Sequence, residues 1–370
     1  MDRTIILFLK KAVELVAGHK HQILLLMNAL ISMAGALFIY RSSFRERLMD
    51  MPNHRSSHAA PIPRGGGFGI LLAFMLSAMV LRLPTAIIYA VIIVGFVSFY
   101  ADHFFLSVKF RLSIHFLAAL LFLFPYVIRV TTESFSRQNL LLISLLLIIF
   151  FHFYIVGTAN VFNFMDGING MAGITGAIGF GLLALNAYMI DLNSSQSLFS
   201  LGLLALYISI SCIGFLPFNL PKARVFPGDV GSITLGFLFA GLVVYLSRSP
   251  LDFICYSGFL FPFYADELIS VFVRLRKRQN LLIPHRVHLY QLLANEMRIS
   301  HWKISLGYGM AQLSLGLLLL VLKPLGYFPL ILILFVSFIG VAILYGCVRR
   351  KISLRQEKEK LAVNHSKTIA

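Results

Sequence analysis

The chain has 370 residues, of which 58% are hydrophobic and only 13% charged, with a mean hydropathy of +0.84. Length alone would suggest two or three soluble domains, but this balance excludes a soluble domain with a large core and describes a polytopic membrane protein. The net charge of +17 would suit nucleic acid, yet membrane proteins also gather Lys and Arg in cytoplasmic loops, so the placement of the charges decides.

Residues 1–21 hold an apolar run broken by Lys10 and Lys11, with no small-residue cleavage site after it. This predicts a short helix on the membrane surface rather than a signal peptide. Apolar stretches follow near 23–40, 66–82, 84–100, 111–130, 139–158, 168–189, 198–217, 231–247, 252–272, 303–322 and 327–347. At about 20 residues per crossing, they predict an all-α polytopic membrane protein of about eleven transmembrane helices. The chain thus divides into an interfacial segment (1–21), a transmembrane domain (22–347) and a basic tail (348–370). Cys212, Cys255 and Cys347 lie in apolar runs without metal-ligand spacing and read as buried small hydrophobes.

Assigning alternate connections to opposite sides puts 23 of the 32 Lys and Arg residues on one side. The positive-inside rule makes that side cytoplasmic, with the amino terminus outside and the carboxyl terminus inside. The basic residues of 1–21 argue mildly the other way and are outweighed by the tail and the 273–303 loop. On this assignment nearly every polar cluster falls on the cytoplasmic side, while the outer connections are mostly short.

Those clusters contain the candidate site residues. Asn160, Asn163 and Asp166 recur every three residues in NVFNFMDGINGMAG (160–173), so a helical turn puts them on one face. Such a face suits a cation or a phosphate, and Asn and Gly also serve as plain helix caps. In DMPNHRSSHAAPIPRGGG (50–67), Arg55, Ser56, Ser57, His58 and Arg64 precede Gly65, Gly66 and Gly67. Guanidinium forks, hydroxyls and approachable backbone N–H groups favour phosphate over the alternatives of lipid anchoring and close helix packing. Asp229, in FPGDVGS (226–232), either gives one oxygen to Mg²⁺ or caps the helix that follows. Asp102 and His103 end a span before Lys109 and Arg111, where a carboxylate binds metal, takes a proton or only punctuates a hairpin. In PHRVHLYQ (284–291), His285, Arg286 and His288 favour a diphosphate or sugar over zinc, because no Cys or carboxylate neighbours complete a metal set. Asp266 and Glu267 are expected to pair with Arg274 or Arg276, and His115 and His152 to be satisfied interior residues.

Four motifs, DMPNHRSSHAAPIPRGGG, NVFNFMDGINGMAG, FLPFNLPKARVFPGDVGSITLGF and PHRVHLYQ, occur in that order on one face. Together, from about Gln22 to Tyr345, they resemble the polyprenyl-phosphate N-acetylhexosamine-1-phosphate transferases (glycosyltransferase family 4). The last loop resembles the branch that initiates O-antigen and other lipid-linked glycans, not the triple-histidine loop of the peptidoglycan-precursor translocase. The resemblance implies transfer of a sugar 1-phosphate from a UDP-N-acetylhexosamine to undecaprenyl phosphate, with release of UMP, at the bacterial inner membrane. It implies Mg²⁺ as cofactor, with Mn²⁺ as the alternative. By carry-over Asp229 and Asp166 are metal ligands, and Asp102, Asp166 and Asp229 are catalytic. Asn53, Arg55, Ser56, Ser57, His58 and Arg64, then Asn160, Asn163 and Asn219, then His285, Arg286 and His288 bind substrate.

The chain departs from the family at two positions: Ala101 replaces the first acid of an Asp-Asp pair, and Asn169 the second acid of a DGxDG element. Losing two acids lowers the negative charge offered to a cation. A phosphate monoester has a second pKa of about 6, so the lipid phosphate is ionised near neutral pH and a base is dispensable. A catalytically impaired homologue is the alternative these departures keep open. A lipid-linked sugar transporter is the other, although it predicts internal repeats and midplane polar sites that the sequence does not display.

Overall fold

The computed structural model describes residues 19–52, 57, 60–104, 106–134, 138–190, 196–280 and 286–369. In chain order the main helices are α1 (His19–Arg41), α2 (Phe68–Val80), α3 (Thr85–His103), α4 (Val108–Ser134), α5 (Gln138–Met165) and α6 (Met171–Ile190). They continue as α7 (Gln196–Asn219), α8 (Gly228–Leu246), α9 (Pro250–Ser257), α10 (Phe261–Arg276), α11 (His301–Leu322) and α12 (Tyr327–Ile369). A two-stranded antiparallel ribbon, β1 (Met49–Asp50) and β2 (Ile62–Pro63), pairs Met49 with Pro63 and closes the base of the first polar loop.

The fold is all-α and polytopic. Among the described residues nine helices are long and apolar enough to cross a membrane. Two further expected spans coincide with helices that do not meet that measure alone. Helix α2 has only 13 residues, and 250–276 is divided into α9, a 3₁₀ turn (Gly258–Leu260) and the charged α10. Residues 1–18, most of the expected interfacial segment, lie outside the described residues, and α1 already includes His19–His21. Helix α12 has 43 residues, about 64 Å at 1.5 Å per residue, so the last span and most of the basic tail form one rod about twice as long as a ~30 Å hydrocarbon core.

Helix α8 is the axis. It is apolar on all sides, as a helix must be when surrounded by protein, and 89% of its span is buried. Helices α3 and α5 pack along it, α4 bridges α3 and α5, and α1, α2, α6 and α7 complete the bundle. Small residues set the closest approaches, the usual way helices meet in lipid. A Cβ on Gly67 would stand 2.6 Å from the Gly231 backbone nitrogen, so α2 and α8 touch at their first turns. Asn28 on α1 accepts from Ser77 on α2 (2.8 Å) and Ser211 on α7 (3.3 Å), joining three helices by hydrogen bonds inside the apolar bundle.

Two expectations fail. Cys212 and Cys255 are buried but Cys347 is exposed, because only 11% of the α12 span is covered by protein. His115 is only 3% exposed and neither ring nitrogen has a hydrogen-bond partner among the described residues, so it is not a satisfied interior histidine.

Candidate active site

The carboxyl ends of α3, α5 and α7 and the amino ends of α4, α6 and α8 meet at one end of the bundle. Helix α8 starts there without a side-chain cap of its own, since Pro227 occupies the cap position. The cap comes from α3. Asp102, 2% exposed, accepts the Asp229 N–H at 2.9 Å and the Val230 N–H at 3.1 Å. A carboxylate at a helix amino terminus satisfies orphan donors and meets the positive end of the dipole. Gly228 adopts φ +71° beneath it, and a Cβ there would collide with the Asp102 carboxylate.

Because Asp102 supplies the cap, the Asp229 side chain is left to the site. One oxygen pairs with the Arg111 guanidinium from α4 and the other accepts from Asn163 Nδ2 of α5 at 2.9 Å. Asn163 Nδ2 also lies 2.8 Å from Ser232 Oγ, one helical turn beyond Gly228. Asp166 follows the end of α5, half-buried. Burial holds its carboxyl well above the usual carboxylate range; the Ala172 N–H opposes that shift, while the charges of Asp229 and Asp102 reinforce it. Three carboxylates therefore interact across this end of the bundle.

Other expected site residues hold the frame. Asn219, 1% exposed, accepts from the Gly170 N–H at 2.5 Å and donates to the Val225 carbonyl at 2.9 Å, clamping the DGING turn to the 220–225 loop. Asn160 donates to the Val156 carbonyl of its own helix at 2.7 Å. Arg64 donates through Nε to the Asp102 carbonyl at 3.1 Å. Two amides of the triple glycine are not offered to phosphate as expected: Gly66 and Gly67 donate to the Phe226 and Pro227 carbonyls, both at 2.9 Å, which brings the first polar loop against the start of α8.

The basic loop is anchored from beneath. Asp266 accepts the Leu289 N–H at 2.7 Å, the Tyr290 N–H at 3.3 Å and the Tyr308 hydroxyl at 2.6 Å. It thus orders this loop, where pairing with Arg274 or Arg276 was expected. His288, 2% exposed, lies 3.8 Å from Asp266 and 3.6 Å from Glu267. Tyr290 donates to the Phe164 carbonyl at 2.9 Å, linking the loop to the end of α5. Arg286 and Ser57 are half-buried in irregular segments. Asn53, Arg55, Ser56, His58 and His285 lie outside the described residues.

The donor set suits a hard cation in one specific way. Among the described residues no three His, Cys, Asp or Glu side chains converge as a preformed metal cage. Asp229 and Asp166 offer carboxylate oxygens; those of Asp229 already meet the Arg111 guanidinium and Asn163 Nδ2 and keep further lone pairs for a cation, while both oxygens of Asp102 are bound to the amides that start α8. Mg²⁺ is commonly held by one or two carboxylates, with water and substrate phosphates completing its shell. The charges of Asp229 and Asp102 add to the effect of burial on the Asp166 carboxyl, so these acids lie close enough together to share a cation in that mode.

Three contributors escaped the sequence reading as site residues: Arg111, Ser232 and Tyr290. Arg111 had one available signal, a basic residue near the start of a span opposite the aspartates. Ser232 and Tyr290 had only their place inside the FPGDVGS and PHRVHLYQ motifs, since their partners lie 69 and 126 residues away.

The sequence profile of glycosyl transferase family 4 matches residues 84–247, which run from the start of α3 to the end of α8. A phospho-N-acetylmuramoyl-pentapeptide-transferase of Staphylococcus saprophyticus is 32% identical over 182 residues, 47% of this chain and 53% of the relative. An undecaprenyl-phosphate alpha-N-acetylglucosaminyl 1-phosphate transferase of Thermotoga maritima is 27% identical over 263 residues, 70% of this chain and 76% of that protein. The chain spans about half the length of the first of these relatives. The matched segment contains Asp102, Arg111, Asn163, Asp166, Asn219 and Asp229, and over it the chain is similar to glycosyl transferase family 4.

Proposed function

We propose that the protein transfers a sugar 1-phosphate from a UDP-N-acetylhexosamine to undecaprenyl phosphate, releasing UMP, as the first step of O-antigen or related cell-envelope glycan synthesis. The observation that carries this reading is the freed Asp229 side chain. A neighbouring helix provides the cap, so Asp229 faces Arg111, Asn163 and Asp166 at the edge of the bundle. A lipid phosphate and a nucleotide diphosphate both bring negative charge, and their approach calls for cations and oriented donors at a membrane surface.

A lipid-phosphate oxygen attacks the phosphorus bonded to the sugar, and the bond to the bridging oxygen breaks. The electron pair leaves with UMP. Mg²⁺, or Mn²⁺ in its place, held by Asp229 and Asp166, would neutralise charge on the diphosphate. Arg111 and Asn163 orient the Asp229 carboxylate, and Arg111 also offers positive charge to the phosphates. Asp102 fixes the start of α8, so its role is to place Asp229 rather than to accept a proton. Ala101, beside it on α3, leaves that capping bond intact. Arg286 and His288 would engage the sugar diphosphate.

The excess of Lys and Arg on the motif-bearing side supports a cytoplasmic site, a periplasmic amino terminus and a cytoplasmic carboxyl terminus in a bacterial inner membrane. UMP release by the purified protein, with each UDP-N-acetylhexosamine and with UDP-N-acetylmuramoyl-pentapeptide as donors, tests both reaction and donor. Release with the pentapeptide donor alone would overturn the N-acetylhexosamine assignment. An Ala101→Asp variant run in parallel tests whether the missing acid limits the rate.

A further inference from the structure

His115 sits on α4 one turn beyond Arg111, and residues four apart on a helix share a face about 6 Å apart. It is 3% exposed and both ring nitrogens lack a hydrogen-bond partner among the described residues; so does the buried Nε of Arg111. Both Arg111 and Asp229 lie within electrostatic reach of the imidazole. Buried polar groups without partners are costly and uncommon, and an ionisable residue inside a span points to function. Two such groups lie four residues apart on one helix, beside the pair that holds Asp229.

Resting on the transferase reading, we propose that His115 is a substrate-binding residue that, with Arg111 Nε, hydrogen-bonds a phosphoryl oxygen of the lipid phosphate. Depth favours the lipid reactant over the nucleotide. His115 is seven residues into α4 from Val108, about 10 Å along the axis from the end where Asp229 lies. A phosphate tethered to an isoprenoid arrives from the bilayer side, whereas a nucleotide sugar arrives from water. The imidazole would thus set the height of the attacking phosphate relative to Asp229.

The test compares the wild-type protein with His115→Leu, which removes both nitrogens, and His115→Gln, which restores a side-chain amide. Melting is measured in detergent alone, with undecaprenyl phosphate, and with UMP, and steady-state constants are measured for UMP release. The lipid phosphate should raise the melting temperature of wild type and His115→Gln but not of His115→Leu, while the UMP shift stays the same in all three. The KM for lipid phosphate should rise roughly 10- to 100-fold in His115→Leu, as expected for losing a hydrogen bond to a charged group, with the donor KM unchanged. An unaltered lipid-phosphate shift and KM in His115→Leu would overturn the proposal, as would loss of the UMP shift alone. Equal loss of both shifts with a lower melting temperature would make the residue structural and also overturn it. If wild type releases no UMP with any donor, the transferase reading fails, and the lipid-phosphate melting shift still decides the role of His115.

Discussion

Asp102 accepts the backbone N–H of Asp229 at 2.9 Å across 127 residues of chain, so one aspartate caps a helix whose first turn presents the other. This division of labour gives the two acids different expected behaviour. Asp229→Asn should abolish UMP release while leaving the melting temperature within a few degrees of wild type, because among the described residues its side chain bonds Arg111 and Asn163 at a partly exposed position. Asp102→Ala should lose about 1–2 kcal/mol of stability, the range for a lost cap, and lose activity with it. Thermal melts and UMP assays on both variants check the contrast; a stable, active Asp102→Ala protein would refute the capping role.

The Asp166 carboxyl predicts a pH dependence. Its pKa is raised in the folded protein above the ordinary 3.8, chiefly by burial. The folded state therefore binds the proton more tightly, and the stability this provides is complete below 3.8 and lost as pH rises through the folded value. In chelator, Asp166→Asn should gain stability over wild type at pH 8 and gain less as the pH is lowered toward 4. Mg²⁺ should narrow the gap at pH 8 by stabilising wild type alone. Melting curves at several pH values read the difference directly, and a gain that does not vary with pH would contradict it.

Close packing between α2 and α8 makes a third prediction. Gly67→Ala forces a methyl group against the Gly231 backbone, and such overpacking costs about 1–3 kcal/mol or more where neither backbone can retreat. Gly157→Ala, whose Cβ would meet nothing within 4 Å, should leave melting and activity unchanged. Equal melting temperatures for the two variants would mean that the close approach is not a structural constraint.

Asn219, expected to bind substrate, and Tyr290 instead hold the frame. Asn219→Ala leaves the Gly170 N–H and the Val225 carbonyl without their partner and should cost about 2–3 kcal/mol, whereas Tyr290→Phe loses the bond to the Phe164 carbonyl and should cost about 1 kcal/mol. Thermal melts rank the two, and the reverse order would contradict the assignment of Asn219 as the stronger clamp.

Much of the fold was legible because hydrocarbon imposes a simple rule: runs of about 20 apolar residues form helices that satisfy their own backbone. The rule failed where a turn rather than length ends a helix. Helix α2 is short because the chain turns at Arg82 (φ 51°) and Pro84 begins the next helix, and 250–276 breaks at the 3₁₀ turn. At the site, Asn163, Asp166 and Asp229 were legible as polar residues interrupting an apolar chain. What each does was not. Sequence left Asp229 as either cap or ligand, and the choice depends on Asp102, which reaches it only through the packing of α3 on α8. The three glycines were read for phosphate because exposed N–H groups and packed ones look alike in a sequence. His115 looked like a core histidine because its lack of partners is a property of three dimensions alone.

The first measurement to make is UMP release by the purified full-length protein from UDP-N-acetylhexosamines and undecaprenyl phosphate, with Mg²⁺ and with chelator, for wild type beside Asp229→Asn. The expected result is release that needs both substrates and the cation and that disappears in Asp229→Asn while its melting curve is preserved. Release undiminished in Asp229→Asn, or none from wild type with any donor, would contradict the assignment of this end of the bundle as a sugar 1-phosphate transfer site.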